Sequence, residues 1–321
     1  MKSTFLATVA AATLLPHLPA RAAIVYSTPG ATYAEDFNSA VGANKLPWLG
    51  PAPGNSSGIV GAANASLGVT GATTYGWRND TASTYPYTDG NFGMVGWHIL
   101  HPTTIPAPGE GGFGGNQRMR FGTGSSNTGA FYSFGEGGRD GERALGVLNS
   151  GSLSGNGPSN LPVMMGAVFT NTTGATLTEF TLSYFGEQWR NGGTGVAETL
   201  AFDYSLDATS IHDPAATRVP VTALDFISPV TTVVAGGATV AGNTTGRVAI
   251  APVTVTGLNW ENGENLWIRW THFRQPGGTN PPAHGLAIDD LSFSAQGIPE
   301  PTTGLLAAFS LVAAAAMRRR A

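Results

Sequence analysis

Downstream of Pro162, apolar and polar residues alternate with a period of two. Phe180, Leu182 and Tyr184 are separated by Thr181 and Ser183, and Leu200, Phe202, Tyr204 and Leu206 alternate with polar partners. Successive side chains of an extended chain point to opposite faces, so each run predicts a half-buried strand. Val248 and Ile250, then Leu266, Ile268 and Trp270 opposite Trp267 and Arg269, then Leu286, Ile288 and Leu291, continue the pattern. From Ala23 to about Pro162 the chain is instead punctuated by turn-forming clusters, at Pro51-Ala52-Pro53-Gly54-Asn55, at Pro106-Ala107-Pro108-Gly109 and from Gly151 to Asn160. Strand-like pieces such as Phe131-Tyr132-Ser133-Phe134 lie between them. No fixed-period repeat occurs, and no flexible linker precedes Gln296-Gly297, so one domain over residues 23–295 is expected rather than two.

Composition sharpens that picture. The chain holds 45 Gly and 21 Pro in 321 residues, and both are poor residues for a helix interior, which excludes a long-helix or coiled-coil protein and leaves an all-β fold of short strands and many turns. Cysteine is absent, so the core must form without disulfides, which a chain of this length can do. Five of the 16 basic residues, Lys2, Arg21, Arg318, Arg319 and Arg320, sit at the two ends; between them eleven bases face 20 acids, a balance of −9. With so little positive charge to hold a phosphate backbone, nucleic acid is excluded as a partner.

Both ends read as addresses. Lys2 is followed by an uncharged run from Thr4 to Leu15, then Pro16 and Pro19, then Ala20-Arg21-Ala22. A basic start, a short apolar run and small residues at Ala20 and Ala22 fit a signal peptide over residues 1–22, cut after Ala22. The other end reads Ile298-Pro299-Glu300-Pro301, an uncharged stretch from Thr302 to Met317, then Arg318-Arg319-Arg320. An apolar run closed by a basic cluster is how the positive-inside rule halts a chain in a membrane. This run is slightly shorter than the roughly 20 residues of an unstrained spanning helix and is rich in small residues, as suits a temporary anchor. The three-part order resembles the PEP-CTERM sorting signal of bacterial exported proteins, with Ile298 standing where that family usually has Val. The resemblance covers residues 298–321, within an expected sorting segment of 296–321. It implies export through the inner membrane, a short transmembrane helix held transiently, cleavage near Pro299-Glu300-Pro301 by an exosortase, and a final place at the cell surface or outside the cell.

Between the addresses, the acidic strand Gly285-Leu-Ala-Ile-Asp-Asp-Leu-Ser-Phe293 resembles the last strand of concanavalin A-like jelly-roll sandwiches. Gly186-Glu187-Gln188-Trp189-Arg190 and Arg143-Ala144-Leu145-Gly146 are similar to segments of β-sandwich regions in bacterial surface proteins. This resemblance spans roughly Gly135 to Phe293 and implies an antiparallel jelly-roll β-sandwich. If first and last strands pair, Glu35-Asp36-Phe37 lies in the same domain as Asp289-Asp290.

Candidate chemistry is sparse. Gly109-Glu-Gly111-Gly-Phe-Gly114 fits G-x-G-x-x-G but follows a Pro-rich loop and opens no helix, so it lacks the geometry that cradles a pyrophosphate. Gly54-Asn55-Ser56-Ser57-Gly58 matches the nucleophile-elbow pattern without the strand and helix that strain such a turn. Zinc is not expected, because His98 and His101, three apart on a strand, point to opposite faces and no cysteine or H-E-x-x-H is present. Calcium stays open: Asp36 and Asp290 offer hard oxygens if their strands are neighbours, although adjacent strand residues face opposite ways, so only one acid of each pair can look at a common point. The alternative is that Asp290 caps or bridges loops by hydrogen bonds.

Glycoside hydrolysis needs two carboxylates across a cleft. The nearest set is Glu179, Glu187 and Glu198, and no E-x-D-x-E strand is present. Glu179 is expected to face solvent. Glu187 and Glu198 bracket the loop Asn191-Gly192-Gly193-Thr194-Gly195. A structural reading pairs Arg190 with Glu187 while Trp189 fills the core. For sugar binding, Tyr85, Tyr87, Asp89 and Asn91 crowd one polar loop, with Trp77, Arg78 and Asn79 just before it; loop aromatics can stack on a pyranose while Asn, Asp and Arg take its hydroxyls. The residues together with the two resemblances imply an exported, exosortase-sorted, non-catalytic β-sandwich of the cell surface or extracellular matrix, with extracellular polysaccharide as a weakly held partner. The alternative is a secreted polysaccharide-degrading enzyme of the concanavalin A-like fold.

Overall fold

The computed structural model describes residues 23–38, 59–63, 73–77, 94, 96–101, 119–136, 141–150, 162–272 and 283–297. Residues 1–22 and 298–321, which carry the expected signal peptide and sorting signal, lie outside them. Among the described residues no helix is long and apolar enough to cross a membrane.

The described chain is β-structure in two sheets. The first runs β12 (Val219–Pro220), β11 (Thr199–Ser205), β16 (Asn265–His272), β9 (Val163–Asn171), β5 (Trp97–His101), β4 (Thr73–Trp77) and β3 (Ile59–Ala63); β1 (Ile24–Tyr26) also pairs with β9, and β13 (Phe226–Ile227) with β11. The second runs β14 (Ala238–Thr239), β10 (Leu177–Asn191), β17 (Gly285–Gln296), β8 (Ala144–Leu148), β7 (Ala130–Phe134) and β6 (Met119–Gly122), with β15 (Arg247–Trp260) on β10 and β2 (Tyr33–Glu35) on β17. The chain passes from β9 to β10 to β11, changing sheets each time. The two late strands then insert between earlier ones, β16 between β11 and β9 and β17 between β10 and β8. This interlocking of strands distant in sequence is the jelly-roll sandwich that the resemblance implies. Two pairs depart from the antiparallel rule: β1 with β9 and β6 with β7 are parallel.

The alternating residues face one another across the sandwich. Phe180, Leu182, Tyr184, Leu200, Phe202, Leu266, Ile268, Trp270, Leu286, Ile288, Leu291 and Phe293 all join one core. Trp270 sits at its middle, stacked on Trp97 at 6.4 Å and meeting Tyr184 and Phe202 edge-on at 5.2 Å each. The opposite residues of β16 point outward, as their alternation predicts: Trp267 packs with Leu100, Met164 and Ile211, while Arg269 pairs with Asp203 at 2.8 Å. An early segment is drawn to the last strand. Tyr33, Ala34 and Glu35 register with Phe293, Ser292 and Leu291, and the Ala295 N–H donates to the Tyr26 hydroxyl at 2.8 Å.

Alternation on β17 breaks once. Opposite Tyr184 of β10 the register skips both Asp290 and Leu291, and Asp290 has φ +46°, so the strand carries a bulge there. After the bulge Leu291 and Phe293 return to the core face.

Candidate functional site

The outer face of the second sheet, where β8, β10 and β17 lie side by side, carries a second buried cluster. Tyr132 and Phe134 of β7 stack at 4.8 Å, Phe134 stacks on Trp189 of β10 at 5.9 Å, and Ala144, Leu148 and Ala287 fill between them. The turn that precedes β15 closes over this layer. Gly242 lies so flat on the Trp189 indole that a Cβ there would come within 2.1 Å of the ring, and Gly246 accepts the Gln188 N–H at 2.9 Å. That docking brings Asn243 and Arg247 over the end of the aromatic layer.

Charged groups gather beneath the turn. Trp189 Nε1 donates to Glu187 Oε2 at 2.9 Å, and Arg247 Nη1 donates to Glu187 Oε1 and to Asp289 Oδ2, the latter at 3.0 Å. Arg247 Nη2 reaches Asp290 Oδ2 at 2.5 Å, and the guanidinium lies 3.9 Å above the Phe185 ring. Asn243 Nδ2 donates to Glu142 Oε2 at 2.5 Å. Glu187 and Asp289 are buried, Glu142 is half-buried, and one oxygen from each of the three lies within 4.8 Å of the others. Burial first, then the fields of Asp289 and Glu142, push the Glu187 carboxyl up to about 8, against the hydrogen bond from Trp189 and the charge of Arg247. Burial likewise pushes Asp289 up to about 7, although Arg247 bonds to it, and raises Glu142. Burial works against the charge of Arg247, but the bond to Asp289 and the surrounding carboxylates outweigh it and hold its pKa above the usual value. Chemically this arrangement could hold protons or a cation; Glu187 is fully buried, and Arg247 engages both it and Asp289.

Several sequence expectations change here. Arg190 does not pair with Glu187: residues three apart on a strand face opposite ways, and Arg190 instead donates to the carbonyls of Gly124, Ser125 and Gly236 at 2.7 to 3.2 Å. Trp189 is buried as expected. Asp289 and Asp290 both reach Arg247, because the bulge cancels the alternation that would set them on opposite faces. Asp36 Oδ1 accepts the Asn38 N–H at 3.0 Å, and the acids that converge among the described residues are Glu142, Glu187 and Asp289 rather than Asp36 and Asp290. Nothing in the sequence pattern singles out Glu142 or Arg247 as members of a cluster. The signal for the bulge was present, since Ile288 and Leu291, both apolar, are three apart instead of two.

Glu198, the other acid beside the glycine-rich loop, is buried and committed elsewhere. Its Oε2 meets His272 Nε2 at 2.8 Å and accepts the His284 N–H at 3.0 Å. Glu179, expected in solvent, is half-buried and accepts from Gln296 Nε2 at 2.6 Å. His98 is buried with its ring 4.8 Å from that of Trp267, a packing role. Trp77 ends β4 opposite Ile59. Arg78, Tyr85, Tyr87, Asp89 and Asn91 belong to the stretch joining β4 to β5 and lie outside the described residues, as do Pro299, Glu300, Pro301, Arg318, Arg319 and Arg320, and Ala20 and Ala22 at the expected cleavage site.

No family model matches the chain, and no curated protein matches it. Among solved structures, the chain is similar to the module TmCBM61 in complex with β-1,4-galactotriose, at 8% identity and a TM-score of 0.22 over 48% of this chain and 71% of that one. It is also similar to the K3 cleaved adhesin domain of Lys-gingipain from Porphyromonas gingivalis, at 14% identity and a TM-score of 0.27 over 50% and 78%. The CBM22-1 xylan-binding domain of a Paenibacillus barcinonensis protein matches at 9% identity and a TM-score of 0.24 over 53% and 82%. At such scores the sandwich assignment rests on the strand pairing itself.

Proposed function

We propose that the chain is an exported β-sandwich, sorted by its C-terminal segment to the cell surface or extracellular matrix, where it acts without catalysis and holds polysaccharide weakly. The observation that carries this reading is the amino-acid sequence that follows the last strand, which ends at Gln296: Pro299-Glu300-Pro301, then an uncharged run, then Arg318-Arg319-Arg320. Non-catalytic action is supported by the commitments of the two acids nearest the glycine-rich loop, Glu187 to Arg247 and Trp189, and Glu198 to His272. Polysaccharide binding is supported by the aromatic and polar residues of the stretch between β4 and β5.

Cell fractionation tests the sorting step. Replacing Arg318, Arg319 and Arg320 by Ser removes charges that each resist passage of the bilayer centre by roughly 2.5–3.5 kcal/mol, so retention before processing should weaken. Glu300→Ala should instead leave an uncut, membrane-bound form. Release of both variants at the natural size and rate overturns the proposal, and so does an exported chain whose N-terminus is Met1 rather than Ala23.

A further inference from the structure

We propose that Glu142, Glu187 and Asp289 form a binding site for a hard divalent cation of the calcium type, under the turn that carries Asn243 and Arg247. One oxygen from each acid lies within 4.8 Å of the others, which is about twice a calcium–oxygen bond of roughly 2.4 Å, so a single ion can touch all three. The second observation is a pair of oxygens left over when the hydrogen bonds are assigned. Arg247 uses Asp289 Oδ2 and Asn243 uses Glu142 Oε2, while Asp289 Oδ1 and Glu142 Oε1 are both buried and without a hydrogen-bond partner. Asp289 is itself only 1% exposed, and a buried carboxylate oxygen with nothing to bond is costly unless a ligand supplies the contact. A proton shared between the two acids would satisfy both oxygens and link those two residues; a cation would link all three acids at once.

Charge points the same way. Four carboxylates, Glu142, Glu187, Asp289 and Asp290, face two guanidiniums, Arg247 and the buried Arg143, whose field acts on Glu142. With all four acids ionised the balance is −2, which a divalent ion neutralises; without an ion, burial favours the protonated forms of Glu187 and Asp289. The ligand set is all oxygen, with neither histidine nor cysteine in the group, which favours calcium over zinc or copper. The acids come from β10, from β17 beside its bulge and from the residue pair before β8, so the ion would pin three adjacent strands and the turn above them.

Calorimetry on the full chain, freed of divalent ions with a chelator, tests the site. Calcium should bind at about one ion per chain and raise the melting temperature, with magnesium much weaker because it dehydrates reluctantly and demands a near-octahedral cage. Asp289→Asn and Glu142→Gln should each lower calcium affinity about tenfold or more, while Glu179→Gln, outside the cluster, should not change it. Terbium in place of calcium should luminesce on tryptophan excitation, and Trp189→Phe should dim that signal, since Trp189 bonds to Glu187. Should Asp289→Asn fail to fold, the half-buried Glu142 keeps the question open to measurement. No calcium heat, equal binding of magnesium and calcium, or calcium binding unchanged in the Glu142→Gln variant overturns the assignment.

Discussion

Trp270 shows how far a single residue can be read. Its alternation with Leu266 and Ile268 places it inside, and the structure gives it zero exposure among Trp97, Tyr184 and Phe202. Trp270→Ala should therefore cost about 3–5 kcal/mol through lost burial and a cavity in a close-packed layer, a large share of a typical domain's stability. Denaturant unfolding measures it; a cost below about 1 kcal/mol would contradict the packing described. Glu187 is the opposite case. Its burial follows from the segment around Trp189, but its ionic partner is Arg247, 60 residues away. A local reading pairs Glu187 with Arg190, because they are close in sequence. Alternation, applied to those two residues as it was to Trp270, places them on opposite faces and rules that pair out. It says nothing of which distant turn will fold over the strand.

At the scale of the element, the long strands were legible, while the bulge on β17 left only one trace, Leu291 three residues after Ile288. β10, β11, β16 and β17 announce themselves by period two. Short pairs such as β12, β13 and β14, of two residues each, have no room for a period. The bulge at Asp290 decides what the cluster is, since it turns two successive acids onto one arginine. Without a bound cation, that concentration of buried acid should make stability fall as pH rises. Glu187 and Asp289 have folded pKa values of about 8 and about 7, above their ordinary values of 4.5 and 3.8. The folded state therefore keeps protons that the unfolded state releases. Their unfavourable contribution is absent below pH about 4, where both acids are protonated in either state, and grows until pH passes about 8. Glu142 titrates in the same direction, with its pKa raised by burial. Asp207 and Asp213, lowered by their hydrogen bonds, act with the opposite sign at more acidic pH, and His212, lowered by burial and the field of Arg269, opposes the drop only up to its ordinary value of 6.5. Thermal melts in chelator should show the melting temperature dropping between about pH 5 and pH 8, and Glu187→Gln should flatten the drop. A profile that is level or rises over that range would mean the acids are not held protonated by burial.

For the whole molecule, the sandwich separates residues that must be inside from those the fold leaves free to vary. The class was legible because glycine, proline and alternation all bear on it. Pairing of β2 with β17 followed only from a resemblance, and the insertion of β16 and β17 between older strands, which requires contacts across most of the chain, was not legible in the sequence. The exposed large apolar residues among those described are valines and one isoleucine: Val25, Val196, Val219, Ile227 and Val233. None presents an aromatic face to a sugar, which leaves the stretch between β4 and β5 as the place to test. Tyr87 sits there between Pro86 and Asp89, in a segment whose composition is that of a surface loop. Tyr87→Ala should leave stability within about 0.5 kcal/mol, in contrast to Trp270→Ala. If its ring stacks on a pyranose, the same change should abolish the retardation of the chain in a gel containing the polysaccharide that holds the intact protein. Melting and affinity electrophoresis of this one variant therefore separate a packing role from a binding role. A destabilised variant returns Tyr87 to the core, and a stable variant with unchanged migration removes Tyr87 from the glycan site.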